Sequence, residues 1–169
     1  AHNKDITETA SFDNVRIITP VKADYVPYRD YIGSHIETMD VSTGQREIIY
    51  TSPISLQAPN YMIDGKSLIY NSNGLIYKLD LKKRVPEVLN TDTVKKNNND
   101  HVLSFDGKML GLSSSGGKYN SVVYTVASTG GVPKQITPVG PSYLHGWSPD
   151  KKFLVYTAER GNGNFDIYK

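Results

Sequence analysis

Three stretches decide the fold: Ile63-Asp64-Gly65-Lys66-Ser67-Leu68-Ile69-Tyr70, Phe105-Asp106-Gly107-Lys108-Met109-Leu110-Gly111-Leu112 and Pro149-Asp150-Lys151-Lys152-Phe153-Leu154-Val155-Tyr156. Each sets a turn-forming Asp ahead of a short apolar run, and the three aspartates lie 42 and 44 residues apart. Two further landmarks keep step with them. Ile76-Tyr77-Lys78-Leu79-Asp80, Val123-Tyr124-Thr125-Val126-Ala127 and Ile167-Tyr168-Lys169 align downstream of each turn, with Ile36-Glu37-Thr38-Met39-Asp40 joining them upstream. Ile48-Ile49-Tyr50-Thr51, Val88-Leu89-Asn90-Thr91 and Gln135-Ile136-Thr137-Pro138 form the third series. Chance similarity does not keep three landmarks in one order, so the chain is an internal repeat.

Each unit parses into four short strands, which in the third unit fall at about 101–105, 109–115, 121–127 and 132–137. The Asp-Gly pairs occupy the tight turn between the first two strands, where a positive φ costs glycine little. Ser128-Thr129-Gly130-Gly131 and Ser42-Thr43-Gly44 are read as turns into the fourth strand. A four-stranded antiparallel unit repeating at ~40–45 residues is the signature of a β-propeller blade. A β-sandwich also has many short strands but does not repeat its own sequence at this period.

The expected architecture is therefore an all-β propeller with about three to four blades present. Residues 1–13 are a tail and 14–57 a closing strand with a first partial blade. Blades follow at 58–97 and 98–141, with an incomplete one at 142–169. Val15-Arg16-Ile17-Ile18-Thr19-Pro20 resembles the fourth-strand run Pro133-Lys134-Gln135-Ile136-Thr137-Pro138 and is expected to be the closing strand. The last blade stops after its third strand, leaving an edge of unpaired amides.

Composition narrows the function. The chain has 169 residues and a formal charge of +2 spread along its length, which offers no basic footprint for nucleic acid. No apolar run approaches the ~18–20 residues of a membrane span. Cysteine is absent, which removes disulfides, thiol nucleophiles and zinc knuckles and permits an oxidising compartment. Ala1-His2-Asn3-Lys4-Asp5 has no apolar signal core, so an export signal is expected to be removed or absent.

The run His145-Gly146-Trp147-Ser148-Pro149-Asp150-Lys151-Lys152-Phe153-Leu154-Val155-Tyr156, with Phe165-Asp166-Ile167-Tyr168 after it, resembles the TolB-like propeller repeat, also called the WD40-like or PD40 repeat. That family's pattern is a Trp-Ser-Pro-Asp-Gly turn, an apolar strand, then Asp-Ile-Tyr. Asn98-Asn99-Asp100-His101 and Pro141-Ser142-Tyr143-Leu144-His145-Gly146-Trp147 look like a subgroup of uncharacterised bacterial TolB-like proteins. Lys151 departs from the pattern at the turn glycine, as do Met62-Ile63 and Ser104-Phe105 at Ser-Pro. The resemblance implies six blades in all, so the chain is expected to be part of a longer propeller. The alternative is a compact domain closed on itself or by a second copy. A periplasmic or envelope setting and protein partners are likewise implied.

His101 and His145 each lie five residues before their blade's aligned Asp, so they are expected at equivalent positions near the channel mouth. Two imidazoles there suit an anionic group or a divalent metal. Asn99, Asp100 and Tyr143 lie beside them as further ligand-binding candidates. The bland alternative is that these side chains only satisfy hydrogen bonds between neighbouring strands. The main reading is a non-catalytic binding or scaffolding module with a protein or saccharide ligand and no resident cofactor. Its rival is a metal-assisted lyase or hydrolase acting on an acidic saccharide, by analogy with the oligogalacturonate lyases among related propellers.

Gly111-Leu112-Ser113-Ser114-Ser115-Gly116-Gly117-Lys118 looks like a phosphate loop but falls in a strand and hairpin rather than before a helix. No Gly-x-Ser-x-Gly elbow appears, and Ser34-His35 adjacency is no evidence for a triad. Lys82-Lys83-Arg84 and Lys95-Lys96 are read as a solvated rim. Trp147 and Tyr70, Tyr77, Tyr124, Tyr156 and Tyr168 recur with the repeat and are read as packing between blades. Tyr61 and Tyr143 are less regular and are candidates to face a ligand.

Overall fold

The computed structural model describes residues 22–26, 30, 32–116 and 118–169. The tail and the expected closing strand at 15–20 lie outside the described residues. The chain divides into two units, residues 1–32 and 33–169. In the first, Asp30 N–H donates to Val26 O at 3.0 Å, and Val26 N–H to Asp30 Oδ2 at 2.9 Å.

In the second unit every regular element is a strand. A two-stranded sheet holds β1 (Ser34–Met39) and β2 (Arg46–Ser52). The second sheet runs β3 (Gln57–Tyr61), β4 (Ser67–Ser72), β5 (Leu75–Asp80) and β6 (Pro86–Val88). The third runs β7 (Asn97–Leu103), β8 (Met109–Gly116), β9 (Tyr119–Ala127) and β10 (Lys134–Gln135). The fourth has three strands, β11 (Ser142–Trp147), β12 (Leu154–Glu159) and β13 (Phe165–Tyr168). Each sheet is an antiparallel meander in chain order, which is the blade expected from the repeat.

The three repeated turns are built alike. Gly65 N–H donates to Met62 O at 2.9 Å, Gly107 N–H to Ser104 O at 2.8 Å, and Lys151 N–H to Ser148 O at 2.9 Å. All three take positive φ, at 64°, 67° and 60°. Each turn aspartate accepts the N–H two residues on, from Lys66 at 2.9 Å, Lys108 at 3.2 Å and Lys152 at 3.1 Å. Lys151 therefore holds a left-handed conformation that the repeat otherwise gives to glycine.

The fourth strand of the third sheet is shorter than its sequence suggests. Pro133 has no N–H to give a ladder. Beyond Gln135 the pairing passes to a side chain, because Val123 N–H donates to Thr137 Oγ1 at 2.8 Å. The strand is thus two residues long, although Ile136 N–H still reaches Val123 O at 2.8 Å.

The core lies in the seams between sheets. Ile36 and Ile49 of the first sheet pack with Leu68, Tyr70 and Leu79 of the second. Ile69, Ile76 and Leu89 of the second pack with Leu110, Leu112 and Val126 of the third. Strand alternation explains the split, since Leu68 and Tyr70 face one way along β4 and Ile69 the other. The third and fourth sheets meet at Gly111, where an added Cβ would run into Leu144 Cδ2 and approach Trp147 Nε1 to 3.3 Å. Trp147 also donates its indole N–H to Val102 O at 3.0 Å, so it bridges two blades as expected. Tyr70 stacks on Tyr77 at 5.2 Å within the second sheet, and Tyr156 on Tyr168 at 5.8 Å within the fourth.

Candidate functional site at the mouth of the first strands

The first strands of the second, third and fourth sheets lie side by side, β3 against β7 and β7 against β11. These strands share one irregularity. The ladder shifts between Gln57 and Asn60 in β3, between Asn97 and His101 in β7, and between Leu144 and Gly146 in β11. Bulges re-aim side chains, and these three face corresponding stretches of the second strands, 69–71, 112–114 and 155–156.

The bulges change the relation between the two histidines. His101 stands opposite Leu112, whereas Leu144, not His145, stands opposite Tyr156. Leu112 and Tyr156 occupy the same place in their repeats, so the structural counterpart of His101 is Leu144. The expected equivalence of His101 and His145 is thus corrected by one residue. His145 is the extra residue of the β11 bulge and turns out to solvent, while His101 and Leu144 turn into the seams.

His101 is 5 % exposed, and among the described residues neither ring nitrogen has a hydrogen-bond partner of good geometry. Burial holds its pKa down to about 4, against a smaller opposing pull from the carbonyls of Ala58 and Ile69. Ala58 sits in the β3 bulge at φ 49°, and its carbonyl accepts Asn60 Nδ2–H at 2.9 Å.

Asp100 on β7 and His145 on β11 lie within electrostatic reach of one another, without a direct hydrogen bond or ion pair between them among the described residues. Asp100 is half-buried, and burial pushes its carboxyl up while the nearby His145 and the Asn98 side chain pull it back. Its own N–H donates to Asn98 Oδ1 at 2.9 Å, which fixes the bulge. His145 Nε2 lies 3.1 Å from Thr157 Oγ1 on the neighbouring strand. Tyr143, half-buried, packs its ring against Phe165 at 6.0 Å. Asn99 is exposed next to Asp100. The structure thus gathers a carboxylate and an imidazole, with Asn99 and Tyr143 on the same first strands, and sets His101 apart in the packed layer.

A metal held by both nominated histidines does not fit this arrangement, because one ring is buried in a seam and the other is exposed on a bulge. Among the described residues no three His, Asp or Glu side chains gather as a metal centre would need. Phe165 is the neighbour that sequence reasoning missed. It lies outside the turn landmarks, and only the cross-strand placement of β13 beside β12 brings it to Tyr143. Arg160 was missed too. Its guanidinium lies over Tyr156 and Tyr168 at 5.9 and 5.3 Å and donates to Pro141 O at 3.0 Å and Ser142 Oγ at 2.7 Å. It braces the start of β11.

No family model matches the chain. An uncharacterised protein of Agrobacterium fabrum is 40 % identical over 136 residues, covering 80 % of this chain and 46 % of that protein. A solved structure from Agrobacterium tumefaciens, assigned as TolB, superposes with a TM-score of 0.74 at 39 % identity, covering 78 % of this chain and 48 % of that one. TolB from Acinetobacter baumannii gives a TM-score of 0.68 at 25 % identity over 79 % of this chain and 34 % of its own. The tricorn protease matches at 0.52 with 16 % identity, over 78 % of this chain and 14 % of its own, a likeness of fold alone. The chain therefore spans about half the length of the curated relative it matches. Repeat, sheet topology and these likenesses agree: the chain belongs to the TolB-like β-propeller family.

Proposed function

We propose that this chain is a non-catalytic binding or scaffolding module that recognises a protein or saccharide partner at the mouth formed by β7 and β11. The carrying observation is the placement of Asp100 and His145 on the bulges of two neighbouring strands, within electrostatic reach of each other. A half-buried carboxylate with an imidazole beside it is a polar anchor, and the Tyr143–Phe165 pair supplies apolar area. A rigid meander presenting polar groups at strand starts suits recognition better than bond-breaking. Family membership supports the binding role and a periplasmic or cell-envelope setting, and the lack of cysteine is compatible with one.

The test is cross-linked capture from a bacterial envelope extract, comparing the wild-type chain with an Asp100→Asn/His145→Ala variant. A partner held by the wild type and lost by the variant is the expected result. Equal capture by both overturns the assignment of the site. Native mass spectrometry of the same preparations, made without chelators, reads the rival chemistry. A stoichiometric divalent ion lost in His145→Ala would put metal-assisted lyase or hydrolase action ahead.

A further inference from the structure

Every buried side-chain polar atom without a hydrogen-bond partner, among the described residues, belongs to the seam between the second and third sheets. Asn71 shares the face of Ile69 on β4, and Ser114 shares the face of Leu110 and Leu112 on β8. His101 and Asn97 stand opposite Leu112 and Ser114 and so lie on that same face. The amide nitrogens are already committed, Asn71 Nδ2 to Gln57 Oε1 at 3.1 Å and Asn97 Nδ2 to Gly74 O at 2.8 Å. What remains unpaired is mostly oxygen.

At one side this seam opens into a cleft of roughly 390 Å3, with Ser114 in its lining. Ser114 is 1 % exposed and its Oγ is unpartnered. Around it stand Thr93, Tyr119 and Tyr124, and Gln135, whose Nε2–H is spent on Thr137 O at 2.8 Å. Among the described residues the one charged group in the lining is Lys118, whose ammonium lies 5.5 Å from the centre of the Tyr119 ring and pairs with no described carboxylate.

We propose that this cleft is a second ligand site, separate from the β7–β11 mouth, that takes a small polyhydroxylated monoanion of the aldonate kind. One unpaired ammonium matches one negative charge. The cluster of hydroxyl and amide groups matches a chain of hydroxyls, each able to give and accept a hydrogen bond. Packing alone gives no reason for Ser114. Alanine fills the same strand position without leaving a buried hydroxyl unpaired, and leaving one unpaired is destabilising.

The probe is D-gluconate at millimolar concentration, with D-glucitol as the uncharged control, read by thermal unfolding and calorimetry. The wild type is expected to show a saturable rise in midpoint with gluconate and none with glucitol. Ser114→Ala is expected to raise the midpoint without ligand by about 2–4 °C, the shift that relief of one unpaired hydroxyl produces in a chain this size. It should also weaken gluconate at least tenfold. Lys118→Met should weaken gluconate as much while leaving the ligand-free midpoint where it was. Asp100→Asn should leave the gluconate response intact, which separates this site from the mouth. The inference is overturned if gluconate gives no saturable response, if it acts equally on all variants, or if Ser114→Ala lowers the ligand-free midpoint.

Discussion

Between the third and fourth sheets the buried hydroxyls of Ser113, Ser121 and Ser142 are all hydrogen-bonded, whereas between the second and third sheets Ser114, Asn71, Asn97 and His101 keep unpaired atoms. In the first of these seams Ser113 Oγ accepts Leu144 N–H at 2.7 Å and Ser121 Oγ donates to Ser142 O at 2.9 Å. Arg160 closes that network on Ser142. The other seam is instead rich in apolar burial, with Ile69, Ile76, Leu110 and Leu112 fully enclosed. Each such side chain contributes about 1.5–3 kcal/mol, enough to tolerate unpaired groups that cost about 1–3 kcal/mol apiece. The difference teaches where each kind of change will hurt. A seam held by area tolerates polar defects and fails when a charge enters it. A seam held by close approach and matched hydrogen bonds fails when its spacing changes.

The sharpest way to break the apolar seam is to protonate His101. Its folded pKa of about 4 lies below the ordinary 6.5, so the unfolded chain binds the extra proton first as pH falls. Stability from this group is complete above about pH 6.5 and is lost progressively as pH drops towards 4, by about 3 kcal/mol in total. Urea unfolding at pH 7 and pH 4.5 should show the loss in the wild type. His101→Leu should remove most of that slope and hold at pH 7, since an apolar side chain suits its surroundings. A slope unchanged in His101→Leu would assign the acid sensitivity to the carboxylates instead.

The matched seam is tested at Gly111. Gly111 has no positive φ to protect, so its reason is space: Leu144 and Trp147 occupy the volume a Cβ would need. Gly111→Ala should cost about 2 kcal/mol by overpacking and should also blue- or red-shift the Trp147 fluorescence as the indole leaves Val102 O. Leu144→Ala should cost a similar amount alone, yet in the double variant part of the loss should be recovered, because each change makes room for the other. Simple additivity of the two losses would show that the seam does not depend on this contact.

Much of this was legible in the residues. The Asp64, Asp106 and Asp150 landmarks are legible because a tight turn demands one backbone conformation and few side chains serve it. The apolar runs behind them are legible for the same local reason, through strand alternation. The histidine register was not. A bulge of one residue in β11 leaves no mark in a five-residue spacing, yet it turns His145 outward and puts Leu144 where His101 stands in the blade before. Nor does local pattern reveal seam polarity: Ser113 and Ser114 are adjacent and alike, but alternation sends one to a donor on Leu144 and the other to none.

The smallest effect is at the rim of the matched seam, where Lys151 stands where other repeats place glycine, as Arg84 does in the turn after β5 beside the first sheet. Gly44 has φ 72° and Arg84 56°, and each donates its N–H to the turn aspartate, Asp40 O at 2.8 Å and Asp80 O at 2.7 Å. Each of the two cations also reaches across to a neighbouring sheet, Arg84 to Glu47 and Lys151 to Asp106. The Lys151 ammonium is the first cause of the low pKa of Asp106, ahead of the Ser104 hydroxyl. Both side chains of that pair are about a third exposed or more, so water and salt screen it and its contribution is small. Left-handed backbone costs a side-chain residue about 1–2 kcal/mol, and glycine escapes this at the expense of a looser unfolded chain. Lys151→Gly should therefore fall within about 0.5 kcal/mol of the wild type. Lys151→Ala keeps the strain and loses the pair, and should be a little less stable than either. One molar salt should close the gap between Lys and Ala while leaving that between Gly and Ala open, since screening weakens the pair and not the strain. If alanine matches lysine at low salt, the ion pair contributes nothing across this rim, and the two seams differ only in their interiors.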